Sequence, residues 1–265
     1  MKKIASIVIP IYKICPDESE LTSLMQSIKI LSNYDFIIVC PESLDAKCYE
    51  EIFIANNINY AIQRFENKYF EGILGYNRLL LSSGFYSRFV DYEYILIYQL
   101  DAYVFKDDLE YWCNSGYDYI GAPWVIFDPT QRSWKERIKY RTEQKINSLL
   151  NKPNSWLLNG LRVGNGGFSL RRVSKFRKII LKYENSSRFA KYYTPQSIHY
   201  NEDVFWSCEV NRYYPYLKIP SYKKALYFAF ELQPETCFRL TKQTLPFGCH
   251  GFNRFHVEFW RKHLD

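Results

Sequence analysis

Tyr94-Ile-Leu-Ile-Tyr-Gln-Leu-Asp-Ala-Tyr-Val-Phe105 is an apolar run of β-branched and aromatic residues whose one charge, Asp101, arrives near its end. Such a run reads as a buried strand that carries a carboxylate to the carboxyl edge of a sheet. In open α/β sheets that edge is where ligands bind. A carboxylate there is costly unless something cationic meets it. Asp is also a common turn residue, so the stretch alone leaves Asp101 open between turn and ligand.

Working outward, residues 4–11 (Ile-Ala-Ser-Ile-Val-Ile-Pro-Ile) form a second β-branched strand signal, punctuated by Pro10. Leu21, Leu24, Ile28 and Leu31 follow at helical spacing, residues 35–40 are again apolar, residues 45–56 are helical in pattern, and residues 60–65 give a third short strand. Strand, helix, strand, helix, strand is the signature of a parallel sheet with crossovers, the opening of a nucleotide-binding half. Neither G-x-G-x-x-G nor G-x-x-x-x-G-K-S/T occurs, which argues against dinucleotide and P-loop chemistry. A diphosphate held in such a half must then be met another way, typically by a metal bridged to an acidic residue.

The chain of 265 residues carries a formal charge of +7, with basic residues concentrated in 132–145 and 171–182. Such patches favour nucleotide diphosphates, acidic glycans or an anionic membrane leaflet. No zinc-finger spacing or RNP-like run supports nucleic acid as a partner. The 24 Tyr, 19 Phe and 6 Trp offer flat faces for stacking on sugars or bases, or simply an aromatic core. Seven cysteines without C-x-x-C pairs, and no signal-peptide pattern, lead to reduced thiols and a cytoplasmic location as the expectation. No apolar stretch reaches the length of a spanning helix.

In Gly72-Ile-Leu-Gly-Tyr-Asn-Arg-Leu-Leu-Leu81 the glycines suit a turn into a helix beginning near Tyr76, with Asn77 and Arg78 in its first turn beside the sheet edge. There they could contact a base or phosphate; Arg78 is otherwise a surface cation. Residues 107–112 read as a capped helix. Tyr117-Asp-Tyr-Ile-Gly-Ala-Pro-Trp124 is another strand, delivering Trp124 either as a sugar-stacking platform or into the core. Residues 128–160, with Trp134, a basic helical run and Lys152-Pro-Asn-Ser, read as an insertion or mobile region near the site, not a linker.

Three glycines and an Asn occupy Gly164 to Gly167, immediately before a strand at residues 168–170 and a basic helix from Val173. That is more permissive backbone than one turn requires, and suits close approach of a ligand. In Ser197-Ile-His-Tyr-Asn-Glu-Asp-Val-Phe-Trp-Ser207 the adjacent Glu202 and Asp203 either favour a helix start through the dipole or, facing a pocket, crowd into a general base. His250, between glycines in Leu245-Pro-Phe-Gly-Cys-His-Gly-Phe252, is either structural or a metal ligand.

Taken in order, Tyr98-Gln-Leu-Asp-Ala-Tyr-Val-Phe105, Tyr119-Ile-Gly-Ala-Pro-Trp124, Val163-Gly-Asn-Gly-Gly-Phe-Ser-Leu-Arg171, Asn201-Glu-Asp-Val-Phe-Trp206 and Leu245-to-Phe252 resemble the GT-A glycosyltransferases, most closely a little-characterised bacterial and fungal family of that class. The resemblance implies an α/β, GT-A-like fold with a mixed central sheet in one domain over residues 1–265. A nucleotide-binding half would span approximately residues 1–110, and an acceptor-binding and catalytic half residues 111–265. It implies Asp203, with Glu202 beside it, as catalytic residues of an inverting enzyme. Donor contacts would come from Pro10, Tyr12, Asn77, Arg78, Gln99, Asp101, Tyr103, Asn165, Gly166 and Gly167, and acceptor contacts from Trp124, Phe168 and Trp206. A divalent metal, Mn²⁺ or Mg²⁺, would be held by Asp101 and His250. Tyr103 departs from the family's Asp-x-Asp pattern, so a metal-independent site using Arg or Lys on the phosphates stays open. The expected partners are a nucleotide sugar, with UDP favoured, and a glycan or lipid-linked acceptor in surface polysaccharide synthesis, with peripheral contact at the inner face of the cytoplasmic membrane. A nucleotidyltransferase, or a binding protein with a decayed site, are the alternatives.

Overall fold

The structure, a computed structural model, describes residues 2–150, 160–190, 192 and 201–264. Lys152-Pro-Asn-Ser, and residues 197–200 of the stretch leading to Glu202, lie outside them.

Six strands form the main sheet: β1 (Lys3–Pro10), β2 (Asp35–Pro41), β3 (Tyr60–Phe65), β4 (Tyr92–Tyr98), β6 (Tyr119–Gly121) and β7 (Phe168–Arg172), in the order β3-β2-β1-β4-β7-β6. The first four are parallel and β7 runs antiparallel between β4 and β6, so the expected mixed α/β sheet is observed. Between the parallel strands lie α1 (Glu18–Leu31), α2 (Lys47–Ala55), α3 (Gly72–Leu80) and α4 (Ser83–Ser87). A smaller sheet joins β5 (Ala102–Val104), β9 (Gly248–His250) and β8 (Ala229–Phe230).

The apolar runs are nearly continuous, with buried Ser6 the exception in β1, because both faces of the main sheet are covered, as in parallel sheets generally. Ile7 and Ile9 of β1, with Leu96 and Tyr98 of β4, face one core that includes Leu24 and Phe53. Val8, Ile95 and Ile97, at the alternate positions, face a second core with Leu79, Phe85 and Phe176. Each fully buried Ile or Leu contributes about 1.5–3 kcal/mol, and losing the two-residue register would send every one of them to the wrong face. Asp17 starts α1 as a capping box: its carboxylate accepts from the Glu20 amide at 3.0 Å and the Glu20 carboxylate accepts from its own amide at 3.0 Å.

Two sequence-based expectations change here. The helix with Asn77 and Arg78 begins at Gly72, not near Tyr76, so both residues sit past its first turn. Not all thiols are reduced: Cys15 and Cys48 form a disulfide between the loop after β1 and α2, while Cys40, Cys113, Cys208, Cys237 and Cys249 are free and buried. No helix among the described residues is long and apolar enough to cross a membrane.

Candidate active site

Strand order fixes where a ligand crevice opens. After β3 the chain crosses β1 to form β4 on its other side, so the carboxyl ends of β1 and β4 meet at the topological switch point. Pro10 ends β1, and Tyr12 beyond it is 60% exposed. Asp101 follows β4 in the turn into β5 and is buried.

The antiparallel strands bring their own ends to the same edge. Because β7 opposes β4, its first residue, Phe168, pairs with Tyr98, and the preceding glycine turn abuts Gln99, whose amide donates to the Gly167 carbonyl at 2.8 Å. Because β9 opposes β5, His250 lies across from Ala102, next to Asp101. β8 runs parallel to β9 with Phe230 opposite Cys249, which sets Glu231 beside His250. Three segments distant in sequence therefore converge on the imidazole of a fourth.

His250 is held on both nitrogens. Its Nε2 lies 3.1 Å from Asp101 Oδ1 and 3.1 Å from Gln99 Oε1, and its Nδ1 lies 3.1 Å from Glu231 Oε1. Burial disfavours the charged ring, but Asp101 and Glu231 outweigh it and push the pKa up to about 10. The charged ring is favoured beside these carboxylates, and a metal ion at Nε2 would take the place of that nitrogen's proton. Burial likewise opposes ionisation of Asp101, yet His250, and then Arg254 at 3.4 Å, hold its carboxyl below the ordinary value. Asn165 adopts a left-handed backbone, φ 48°, that orients its amide. Its Oδ1 accepts from the Phe168 amide at 3.0 Å, which fixes Nδ2 as the donor to Glu231 Oε1 at 2.6 Å.

The two central glycines are small for a reason. A Cβ on Gly167 would stand 2.1 Å from His250 Nε2 and 2.5 Å from Gln99 Oε1; one on Gly166 would stand 2.2 Å from Glu202 Oε1. Gly167→Ala should therefore push the imidazole off Asp101. We expect a stability loss of about 1–3 kcal/mol from overpacking, and a His250 pKa falling from about 10 toward its ordinary value, read by NMR titration. A variant whose His250 still titrates as in the parent would contradict this geometry.

The second half of the site rests on a buried ion pair. Arg171 of β7 is fully buried, and each of its five guanidinium protons has an acceptor: Ser169 Oγ for Nε, Tyr86 Oη and Glu202 Oε2 for Nη1, the Gly166 carbonyl and Glu202 Oε1 for Nη2. The Glu202 contacts are 2.8 and 3.0 Å. Asn77 is buried, and its Oδ1 accepts from the Glu202 amide at 3.1 Å. These contacts tie the helical turn Glu202–Val204 to the glycine turn, and a π-helical segment, Phe205–Glu209, follows it. Asp203, half-buried on that turn, takes no part in the pair. Burial, then the charges of Glu202 and Glu231, push its carboxyl up to about 7.

Several sequence-based placements are corrected. Tyr103 is buried in the small sheet's core against Phe105 and Phe252, so it does not face a donor. Phe168 packs among Tyr98, Phe228 and Phe247, and Trp206 packs at a tilt on Phe176, both fully buried. Trp124 is buried with Val204 and Cys208, against the Gly164 backbone. None of these three is a sugar platform; each is core that supports the turns bearing Gly166 and Asp203. Glu202 is a structural partner and not a free base, and Asn77 anchors it. Arg171 belongs to the interior and not to an exposed basic patch. Arg78 is exposed. Glu231 and Arg254 are the site residues that sequence reasoning missed. Glu231 carries the same signal as Asp101, a lone carboxylate closing the apolar run from Tyr227 to Phe230.

Asp101 Oδ1 and His250 Nε2 converge within 3.1 Å at the crevice. A carboxylate and an imidazole are a donor pair that suits Mn²⁺, and Mg²⁺ tolerates few protein ligands because it keeps its waters. Among the described residues no three His, Cys, Asp or Glu side chains are grouped to hold a metal ion by themselves. The residues thus fit an ion completed by ligand oxygens and water.

A family model described as "Protein of unknown function (DUF5672)" matches residues 59–250. No curated protein matches the chain. Among solved structures, the galactosyltransferase LgtC in complex with donor and acceptor sugar analogs aligns with a TM-score of 0.55 at 11% identity, covering 97% of this chain and 94% of that one. The bifunctional glycosyltransferase WbbM in its apo form aligns at 0.52 and 13%, covering 94% of this chain and 46% of WbbM. Core-mannan synthase A from Aspergillus fumigatus in its Mn/GDP form aligns at 0.50 and 13%, covering 84% of this chain and 73% of the synthase. At these identities the likeness is one of fold, and the fold is the GT-A type.

Proposed function

We infer that this chain, which belongs to the DUF5672 family of proteins of unknown function, transfers a sugar from a nucleotide diphosphate donor, with a UDP-sugar favoured, to a hydroxyl of a glycan or lipid-linked glycan. The observation that carries this reading is the convergence of Asp101, His250 and the glycine turn at the switch point of a GT-A fold, with an elevated-pKa carboxylate on the turn clamped to it. The nucleotide would lie between the carboxyl ends of β1 and β4, with Pro10 and Tyr12 on one lip and Asp101 on the other. The nucleotide-binding half then spans approximately residues 1–110, and the remainder shapes the acceptor side.

The chemistry is a single displacement with inversion. Asp203 accepts the acceptor hydroxyl's proton as that oxygen bonds C1 and the C1–phosphate oxygen bond breaks, its electron pair leaving with the nucleoside diphosphate. Asp101 and His250 would hold a divalent ion, which supplies charge neutralisation at the departing diphosphate. Arg254, beside Asp101, adds positive charge on the same side. Gly166 and Gly167 let the turn close directly onto Glu202, Gln99 and His250, which sets those side chains against the crevice.

A nucleotide sugar at about 100 times its Kd should stabilise the fold by about 2.7 kcal/mol. We expect a thermal-shift screen with Mn²⁺ to pick out one nucleotide sugar, and that donor to release its nucleoside diphosphate when incubated with the protein. Release of pyrophosphate instead would mark a nucleotidyltransferase. A product that keeps the donor's anomeric configuration would overturn inversion.

A further inference from the structure

The helix Trp134–Leu149 exposes three large apolar side chains. It starts on a capping box, with Ser133 Oγ accepting from the Glu136 amide and the Glu136 carboxylate accepting from the Ser133 amide. Its attachment to the body runs through half-buried Tyr140, with Gln144 and Asn147 half-buried on the same side. Tyr140 donates to the Gly160 carbonyl at 2.7 Å and packs edge-on against Phe127, and the Arg132 guanidinium lies over both rings. At about 100° per residue, the direction opposite that face is occupied by Trp134, Ile138 and Ile146. They are 66%, 55% and 48% exposed, where an ordinary surface helix would carry polar groups. Lys135, Lys139, Arg141 and Lys145 interleave with them and are exposed. Lys139 has Glu143 at 4.0 Å, a contact open to solvent, and both acidic residues of the helix, Glu136 and Glu143, lie beside the attached face at about 100° per residue.

We propose that the outer face of this helix docks on an anionic lipid bilayer surface, with Trp134, Ile138 and Ile146 entering the headgroup–acyl boundary and the four cations on lipid phosphates. Charge and composition together select this occupant. The buried core of a protein interface is depleted of Lys, whereas here lysines stand between the apolar residues. A two-fold contact between copies of the chain would set this cationic face against itself. An interfacial helix combines exposed Trp and aliphatic side chains with Lys and Arg at low net hydrophobicity, and here the cations are interspersed among the apolar residues. The helix is too polar to span, in keeping with the absence of a spanning helix among the described residues. The docking stands independently of the transferase reading, since it uses none of the residues at the switch point.

The test is sedimentation of the full chain with phosphatidylcholine vesicles, with and without phosphatidylglycerol. Binding should require the anionic lipid and weaken as salt screens the cations. Lys139→Glu/Arg141→Glu should lower partitioning by about tenfold or more, and Trp134→Ser/Ile138→Ser should abolish it; all four positions are solvent-facing, and circular dichroism verifies the fold. Brominated lipids should quench tryptophan fluorescence of the parent but not of Trp134→Phe. The proposal is overturned if the chain ignores anionic vesicles, if either double variant binds as the parent does, or if this face instead mediates a dimer that Trp134→Ser/Ile138→Ser dissociates.

Discussion

Asn in place of Asp203 should lower sugar transfer by about 10²–10⁴-fold, the range for a positioned general base, while nucleotide-sugar binding stays as in the parent. The separation follows from the site's layout. Asp101, His250 and the glycine turn lie on the edge made by β4, β7 and β9, whereas Asp203 sits on the helical turn clamped across from it. Its role as base requires the ionised form. With the carboxyl pushed up to about 7, kcat/KM should rise with pH and level off above that value, and this limb should vanish in Asp203→Asn. Stability moves in the opposite sense. A carboxyl whose folded pKa exceeds its unfolded one stabilises most below the unfolded value and loses that contribution as pH rises through about 7. Asn, lacking the charge beside Glu202 and Glu231, should therefore unfold no earlier than Asp in mildly alkaline buffer. A variant that is destabilised there, or that still shows the pH limb, would remove Asp203 from the proposed role.

How much of this could be read from residues depends on whether the physical cause is local. β1 and β4 are legible because burial on both faces makes consecutive central positions apolar, as at Ile7, Val8 and Ile9. Asp101 is legible because it is the lone charge closing such a run. Glu231 has the same signature, but its strand is two residues long and gives no periodicity to recognise. The aromatic residues were misread for a different reason. Trp124, Phe168 and Trp206 have the chemistry of sugar platforms, and composition says nothing about whether a ring faces inward. All three face inward. Arg171 is 31 residues from Glu202, and a buried Arg is indistinguishable by type from the exposed ones that follow it. The pairing of Cys15 with Cys48 is likewise a property of β1 and α2 meeting in space, and no spacing rule encodes it.

That buried Arg carries the second large expectation. Arg171→Met should cost about 3–5 kcal/mol of stability, because it leaves Glu202 as an uncompensated buried charge. It also deprives Tyr86, Ser169 and the Gly166 carbonyl of their donor. Protonation relieves an unpaired buried carboxylate, so the deficit should shrink as pH falls. Replacing both partners, Arg171→Met with Glu202→Leu, should recover much of the loss, since well-packed apolar pairs often match a buried ion pair in stability; denaturant midpoints of the four proteins give the coupling directly. Function should not recover with stability. The guanidinium bonds the glycine turn through Gly166 and the helical turn through Glu202 with the same Nη2, and an apolar pair has no hydrogen bonds with which to hold the two turns in register. If the doubly substituted protein regained full transfer, Arg171 would be core alone and some other contact would be setting Asp203 against the glycine turn. If Arg171→Met unfolded at the parent's midpoint, the pair would not be holding the turns at all.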